Sequence, residues 1–598
     1  MSFTLLDKFL RSLNPTIAIY TTIGITTLVR RLFPKNKSFH NFLKITLSIA
    51  FVVIVVNCSF GSYVSLIPNA FVLRLDWFRG VAFGSIERSS VPILVSILLV
   101  GVTAIRECYH LSFSLFVRSM LHIATAIGVL FATDIISVLF YLELVVIISA
   151  AITIGDRNVK RKNALSYAAL HVASGTLMLV GMLAIATSTI NIGGFAANEN
   201  YILSVACVGL SIAISVGIPP FSFLFVDVYG ATSTRNTITL VSLLSKVTIF
   251  ACIPMLHHLP KSMFALFGIL LIPYTFIRLM FQRSLKKIVL LSVLSHNAVL
   301  MLFMSVIDFK SDALFKTHIG IGVLNSFFAM SILRFIERYN PLILDDIRLL
   351  NSKEVKNKKT FRVAMVLLLV LISNFPTSVS YFSESSLLSI VKLPKITQYA
   401  ILVIQTISVF AASKIAFSLF GIFGKLSIKG FVVKRVKKPA KFFIQDRKLD
   451  FRTMILLSTC AIICLLGSYL YSHMELIMQS DHYGFNFNAF YHYCIAFGVG
   501  LSLAFFFKKT MNPNNLKIVE EYNIMSIMTE LVFGIYNVFT EIIDMVKNKL
   551  LLALSFLTKV IKITVRKSAV GEFASLYSAD TVICCAVIAM SALLMLIV

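Results

Sequence analysis

The sequence predicts an all-α, polytopic membrane protein of about 16 transmembrane helices, built on two inverted five-helix repeats with a long lateral amphipathic helix near the C-terminus. Three observations lead there. Hydrophobic residues fill 58% of the 598 positions and charged ones only 14%, against about 25% charged in ordinary soluble domains. Apolar runs of roughly 20 residues recur from end to end, the length a helix needs to cross about 30 Å of hydrocarbon. Lys and Arg gather in alternate loops, the pattern of a chain with one basic face of the membrane.

The expected spans are 14–33, 42–67, 90–108, 113–133, 134–154, 163–190, 201–225, 236–257, 261–281, 286–307, 313–336, 361–392, 396–424, 452–472, 488–507 and 579–598. The basic clusters follow odd-numbered spans: Arg30 and Lys35 after the first, Arg157 to Lys162 after the fifth, Arg283 to Lys287 after the ninth, Lys353 to Lys359 after the eleventh, Lys434 to Lys441 after the thirteenth, and Lys508 to Lys517 after the fifteenth. Arg74, Arg79 and Arg88, after the second, are the exception. This parity places the odd loops on the cytoplasm-like or matrix side and the N-terminus opposite. It also explains the net charge of +28 without nucleic acid. The nine cysteines form no CxxC pair, and no iron–sulfur, haem, nucleotide or phosphate motif is present. The N-terminus lacks a signal-peptide cleavage site.

Residues 516–570 fit no span. Glu530, Asn537, Glu541, Asp544, Asn548, Lys559, Lys562 and Arg566 fall on one helical face. Residues 516–567 as one helix would reach roughly 75 Å at 1.5 Å per residue, so it is expected to lie along the interface on the basic side; the plainer alternative is two short surface helices broken near Gly534. The expected segments are 1–112, 113–260 (first repeat), 261–425 (second repeat), 426–515, 516–570 and a last anchor at 571–598.

Charged groups in hydrocarbon are costly and usually face a protein interior or a water path. Glu143 stands alone in LFYLELVVIIS, Lys246 in TLVSLLSKVTIF and Glu384 in SNFPTSVSYFSESSLL. His171, His296, His318 and Lys414 are also flanked by apolar residues. For Lys414 a structural role weighs as much as a functional one; for His171 a hydrogen bond to a carbonyl is the simpler reading. Pro219 and Pro220 interrupt the seventh span and Pro376 the twelfth. Proline removes a helix hydrogen bond and frees carbonyls. Matched interruptions in oppositely running helices point to two inverted halves with an ion path between them.

With these residues the chain resembles the antiporter-like subunits of respiratory complex I and the related multisubunit cation/proton antiporters. YLELVVIIS resembles the family's fifth-helix glutamate motif; PPFSFLFVD and the following segment to Lys246, its seventh and eighth helices; QRSLKKIVLLSVLSH, its tenth; FPTSVSYFSES, its twelfth. The resemblance runs over roughly residues 90–425. Length, extra spans and lateral helix are most similar to the distal subunit, NADH–ubiquinone oxidoreductase chain 5, and one Trp against 51 Phe is similar to a mitochondrially encoded chain.

The resemblance implies a proton-translocating subunit of NADH:ubiquinone oxidoreductase in the mitochondrial inner membrane. Its N-terminus would face the intermembrane space and its lateral helix the matrix. No redox centre would sit on this chain; NAD, FMN, iron–sulfur clusters and ubiquinone would belong to other subunits. The partners implied are other membrane-arm subunits, along which the lateral helix would lie, and membrane lipids, with no nucleic acid. Proton transfer would run through Glu143, Lys246, His296, His318 and Glu384. Two family lysines are missing, at Ser215 and Gly322, which leaves Lys246 as the expected partner of Glu143, or a channel kept only for assembly. A cation/proton antiporter subunit, or a chain-4-like subunit of complex I, is the rival reading.

Overall fold

The computed structural model describes residues 71–75, 78–83, 93–98, 100–101, 113–132, 135–190, 196–256, 259–307, 312–337, 358–390, 394–420 and 487–510. The chain divides into two compact units, Met1–Ile518 and Val519–Val598, and all described residues belong to the first. The expected spans at 14–33, 42–67, 452–472 and 579–598 and the lateral helix lie outside them.

The described residues begin with an antiparallel hairpin, β1 (Phe71–Leu75) and β2 (Phe78–Phe83). It falls where Arg74 and Arg79 broke the charge parity, and it corrects the all-α expectation locally. FVLRLDWFRGVAF is too short and too charged to span a bilayer, and its aromatic and β-branched residues suit a two-residue period.

Helices follow: α1 (Phe113–Phe131), α2 (Ile135–Ile154), α3 (Arg161–Ile190), α4 (Ala196–Val216), α5 (Thr234–Ala251), α6 (Lys261–Phe281), α7 (Leu285–Met304), α8 (Asp312–Glu337), α9 (Lys358–Ile372), α10 (Val379–Ile390), α11 (Lys395–Phe420) and α12 (Phe487–Thr510). Among the described residues five stretches are long and apolar enough to cross a membrane: Asn163–Met182, Lys261–Phe281, Leu285–Met304, Leu314–Glu337 and Lys395–Phe417. Shorter apolar helices accompany them, including Phe116–Phe131 and Val138–Ile154. The chain is therefore a polytopic helical membrane protein, with fewer full-length spans among these residues than the 16 expected. One reason is that proline interrupts two expected spans, leaving α9 and α10 as short pieces of a single run.

The core sits around α5, which packs against α1, α2, α4, α7 and α8. Nearly all its side chains are buried, polar ones included: Thr239, Ser242, Ser245, Lys246 and Thr248. Thr239 and Thr248 bond carbonyls of their own helix, Asn236 O at 3.1 Å and Leu244 O at 2.9 Å, while Ser242 Oγ, Ser245 Oγ and Lys246 Nζ have no partner. By contrast α6 exposes Leu266, Ile269, Leu270 and Ile277, the outward apolar surface that lipid would cover.

The two proline-containing runs end alike. After α4, Gly217 takes φ 82° and the Ile218 amide donates to Ala213 O at 2.8 Å. After α9, Asn374 takes φ 52°, the Phe375 amide donates to Val370 O at 3.2 Å and the Asn374 amide to Leu371 O at 3.4 Å. Both are left-handed caps in which a six-to-one bond closes the last turn. Glycine adopts that conformation freely and asparagine tolerates it. In each case an apolar residue and then proline follow (GIPP and NFP), so the helix cannot resume at once. A neighbouring asparagine reaches each end: Asn297 Nδ2 donates to Val216 O at 3.3 Å and Asn325 Nδ2 to Leu371 O at 3.4 Å.

Candidate functional site

Of the five expected transfer residues, His296, His318 and Glu384 lie near one another, and Lys246 is buried on α5. Lys246 of α5 is fully buried, and its Nζ has no hydrogen-bond partner. His296 lies on α7 with its Nε2 buried, and the fully buried His318 lies on α8. The two imidazoles stand 5.1 Å apart between ring centroids. His318 Nδ1 meets Ser383 Oγ of α10 at 2.9 Å, and its Nε2, like that of His296, has no partner. Next to Ser383 in sequence, Glu384 is 2% exposed. Its Oε1 accepts from Gln405 Nε2 at 3.0 Å, and its Oε2 from Asn374 Nδ2. A cavity of about 30 Å³ lies between, bordered by Ser292, His296, Asn325, Asn374, Glu384 and Gln405. That is room for a water or two, since one needs roughly 10–15 Å³. Buried polar atoms with no partner are exceptions that call for a reason, and Lys246 Nζ, His296 Nε2, His318 Nε2, Asn325 Oδ1 and Ser380 Oγ are among them.

Glu143 stands apart. Its carboxylate is half-buried against Gly175 of α3: a Cβ added there would lie 1.7 Å from Oε1. Glu143 and Lys246 make no ion pair, and the Lys246 ammonium has no hydrogen-bonded partner. Lys246 is thus not ion-paired with Glu143 in place of the missing lysine. The reason is steric: Glu143 of α2 points into the notch on α3 that only a glycine leaves open.

The two lost lysine positions are filled differently. Ser215 bonds Ser174 of α3 at 2.9 Å, and Ser174 also reaches Ser211 at 3.0 Å. Gly322 leaves space that the His296 ring takes, since a Cβ there would lie 2.5 Å from Nε2. His171 lies against Tyr167, ring centroids 4.2 Å apart and planes tilted by 59°, with its Nδ1 unbonded. Tyr167 in turn meets the Tyr229 hydroxyl at 2.7 Å. Lys414 is structural: Nζ donates to Leu279 O at 2.8 Å and Met280 O at 3.0 Å, the end of α6, where the last carbonyls lack helical partners and carry negative dipole charge.

Two further fixed points hold the core's ends. Asp227, in a π-helical turn (Leu224–Val228), pairs with Arg278 at 2.7 Å and Lys287 at 2.8 Å. Asp156, in the α2–α3 loop, accepts from the Ser233 amide and hydroxyl (2.7 Å each), Asn236 Nδ2 (2.8 Å) and the Asn158 amide (3.0 Å). It caps α5 from outside, beside Ser233, whose own side chain makes no cap bond. Burial works to raise the Asp156 carboxyl, but these donors outweigh it and hold it below the usual carboxylate value.

No family model matches the sequence, and no curated protein does. Solved structures do. A chain of the membrane-bound sulfane sulfur reductase, an archaeal respiratory membrane complex, is similar over 79% of this chain and 96% of its own, at 13% identity and TM-score 0.60. A chain of the Mrp complex from Dietzia sp. is similar over 81% of this chain and 99% of its own, at 13% identity and TM-score 0.56. The chain shares their fold. Among the described residues no group of three His, Cys, Asp or Glu side chains is placed to hold a metal ion.

Sequence reading singled out ionisable residues and passed over the neutral ones that complete the site. Asn325, Asn374, Ser380, Ser383 and Gln405 all surround Glu384 or its cavity. The one local signal was Asn374 before Phe-Pro, a left-handed cap. On α3, Tyr167, His171 and Ser174 lie at i, i+4 and i+7, one helical face, which could have been found by spacing.

Proposed function

We propose that this chain is a proton-translocating, antiporter-like subunit of a multisubunit membrane complex, and that protons pass along Lys246, His296, His318 and Glu384. The observation that carries this is the run of buried titratable groups with unbonded nitrogens, from the unpartnered Lys246 ammonium to the Glu384 carboxylate beside its cavity. An ammonium can release a proton, an imidazole can accept on one nitrogen and donate from the other, and a carboxylate can receive it. Water in the cavity would bridge His296 to Glu384. Glu143 is outside the line in this conformation; its role in the proposal is to bias Lys246 when helix movement changes their separation. The fold shared with chains of a respiratory membrane complex and of the Mrp complex supports the setting.

The test is proton flux in proteoliposomes containing the purified complex. His296→Leu and His318→Leu are expected to lower flux by on the order of 10²-fold, the loss that follows removal of a proton-transfer group, with assembly retained. Flux equal to wild type in both assembled variants would refute the path. The more specific reading, a complex I subunit of the mitochondrial inner membrane with its N-terminus in the intermembrane space, is favoured by the sequence motifs and loop-charge parity. Co-purification with NADH-oxidising, quinone-reducing activity decides for it; co-purification without that activity decides for an antiporter complex.

A further inference from the structure

Basic charge is concentrated where α6 ends and α7 begins. Asp227 holds Arg278 of α6 and Lys287 of α7 together, at 2.7 and 2.8 Å. Both cationic side chains are 31% exposed, against 17% for Asp227, so the pair is reached from outside and the carboxylate less so. The Lys287 stem is fixed as well. It crosses Gly230, where an added Cβ would lie 3.1 Å from Lys287 Cε. A guanidinium and an ammonium carry about eight N–H donors between them, and one carboxylate offers about four acceptor positions. Two cations on one carboxylate keep a positive charge. Half-buried Arg283, in the α6–α7 connection, makes no ion pair with a described residue and adds another. Lys286 stands outside this group, buried and bonded to Thr232 O.

The surface beside this group is apolar. Among the five long apolar spans of the described residues, α6 is the least buried. Leu266, Leu270, Ile277 and Phe281 are exposed and fall on one helical face. Arg278 borders that face, in the last turn of the helix. The 21 residues of α6 rise about 31 Å at 1.5 Å per residue, close to the hydrocarbon thickness. Arg278 therefore stands near headgroup depth.

We propose that Arg278, Lys287 and Arg283 bind the phosphate of an anionic phospholipid whose acyl chains lie along the exposed face of α6. Charge complementarity selects this occupant. A phosphate supplies negative charge and planar oxygen pairs that suit a guanidinium fork, and the apolar stripe calls for a ligand with a long hydrocarbon part. Basic pockets between membrane helices recognise such headgroups. A zwitterionic lipid has the same chains but no net charge to set against the basic group. Asp227 orders the site: by bridging Arg278 and Lys287 it holds both donors side by side before the lipid arrives. The site stands independently of the proton path.

The test uses the full chain in phosphatidylcholine nanodiscs doped with a spin-labelled lipid, either phosphatidylglycerol or phosphatidylcholine, and reads the motionally restricted fraction of each. The wild type is expected to prefer the phosphatidylglycerol probe by roughly tenfold, and Arg278→Gln or Lys287→Gln to lower that preference about fivefold, the share of one basic group near a headgroup. The control is Lys160→Gln with Arg161→Gln, two exposed basic residues of the α2–α3 loop. It is expected to leave the preference within about twofold, because charges so exposed are screened. Equal restriction of the two probes by the wild type would overturn the site. So would an equal loss in the control, which would mean attraction to a basic surface only. If Arg278→Gln and Lys287→Gln do not fold, Arg283→Gln decides, since it leaves both Asp227 pairs intact: a reduced preference supports the site and an undiminished one overturns it.

Discussion

The two interrupted helices are built alike and used differently. Both end on a left-handed residue, Gly217 or Asn374, followed by an apolar residue and proline, and both ends receive an asparagine from a neighbour. Around the first break Ser215 is tied to Ser174 and Asp227 is paired with two cations, while Ser222 Oγ and Asn297 Oδ1 are left unbonded. Past the second, Glu384 faces neutral amides, a cavity and two orphaned oxygens. The same backbone device thus makes a fixed joint in one place and an open polar site in the other. What distinguishes them is the buried carboxylate beside a cavity at the second, not the break itself or the orphaned polar atoms, which occur at both.

The largest test of that contrast substitutes one residue at each break. Glu384→Gln is expected to reduce proton flux by on the order of 10²-fold, while Ser215→Ala leaves it within about twofold; equal losses would erase the distinction. Gly322→Val comes next. A Cβ at 322 would sit 2.5 Å from His296 Nε2, so the ring must turn away, and flux is expected to fall severalfold, with Gly322→Ala intermediate. Lys414→Met sharpens the comparison from the other side. It removes two bonds to the end of α6 and is expected to cost roughly 1.5–3 kcal/mol, the value of a hydrogen bond to a charged group. Thermal unfolding should show the loss, with flux per folded molecule unchanged.

The smallest effect is at Asp156, where donors from Ser233, Asn158 and Asn236 hold the carboxyl low against the opposing effect of burial. A depressed carboxylate stabilises the fold at pH above its unfolded value of about 3.9 and loses that contribution as pH falls through its lower folded value. The stability gap between wild type and Asp156→Asn is therefore expected to be constant near neutrality and to shrink below about pH 4, measured by unfolding across pH.

The sequence announced its membrane character because composition and run length are local properties. Lys246, His296, His318 and Glu384 could each be singled out because a charge or imidazole in an apolar run is costly wherever the run packs. Which of them face one another could not be read, because helical spacing fixes a face and not the neighbour it meets. Glu143 shows the limit: its notch is made by Gly175 on another helix, and nothing near position 143 specifies it. Lys414 shows the same limit, since its partners lie 135 and 134 residues earlier. Asn325, Ser380 and Gln405 are ordinary neutral residues until the second break places them beside a carboxylate. The strands at 71–75 and 78–83 left one trace in the sequence, the failure of the basic-loop parity at Arg74 and Arg79.

Buried Lys246, alone in the core without a counter-ion, is the point on which the account turns. Proton flux through proteoliposomes containing the complex with Lys246→Met measures it directly. Flux is expected to fall by on the order of 10²-fold, with unfolding temperature unchanged or raised, because an unpartnered buried ammonium is replaced by an apolar chain of similar length. Wild-type flux in that folded, assembled variant would contradict the proton path.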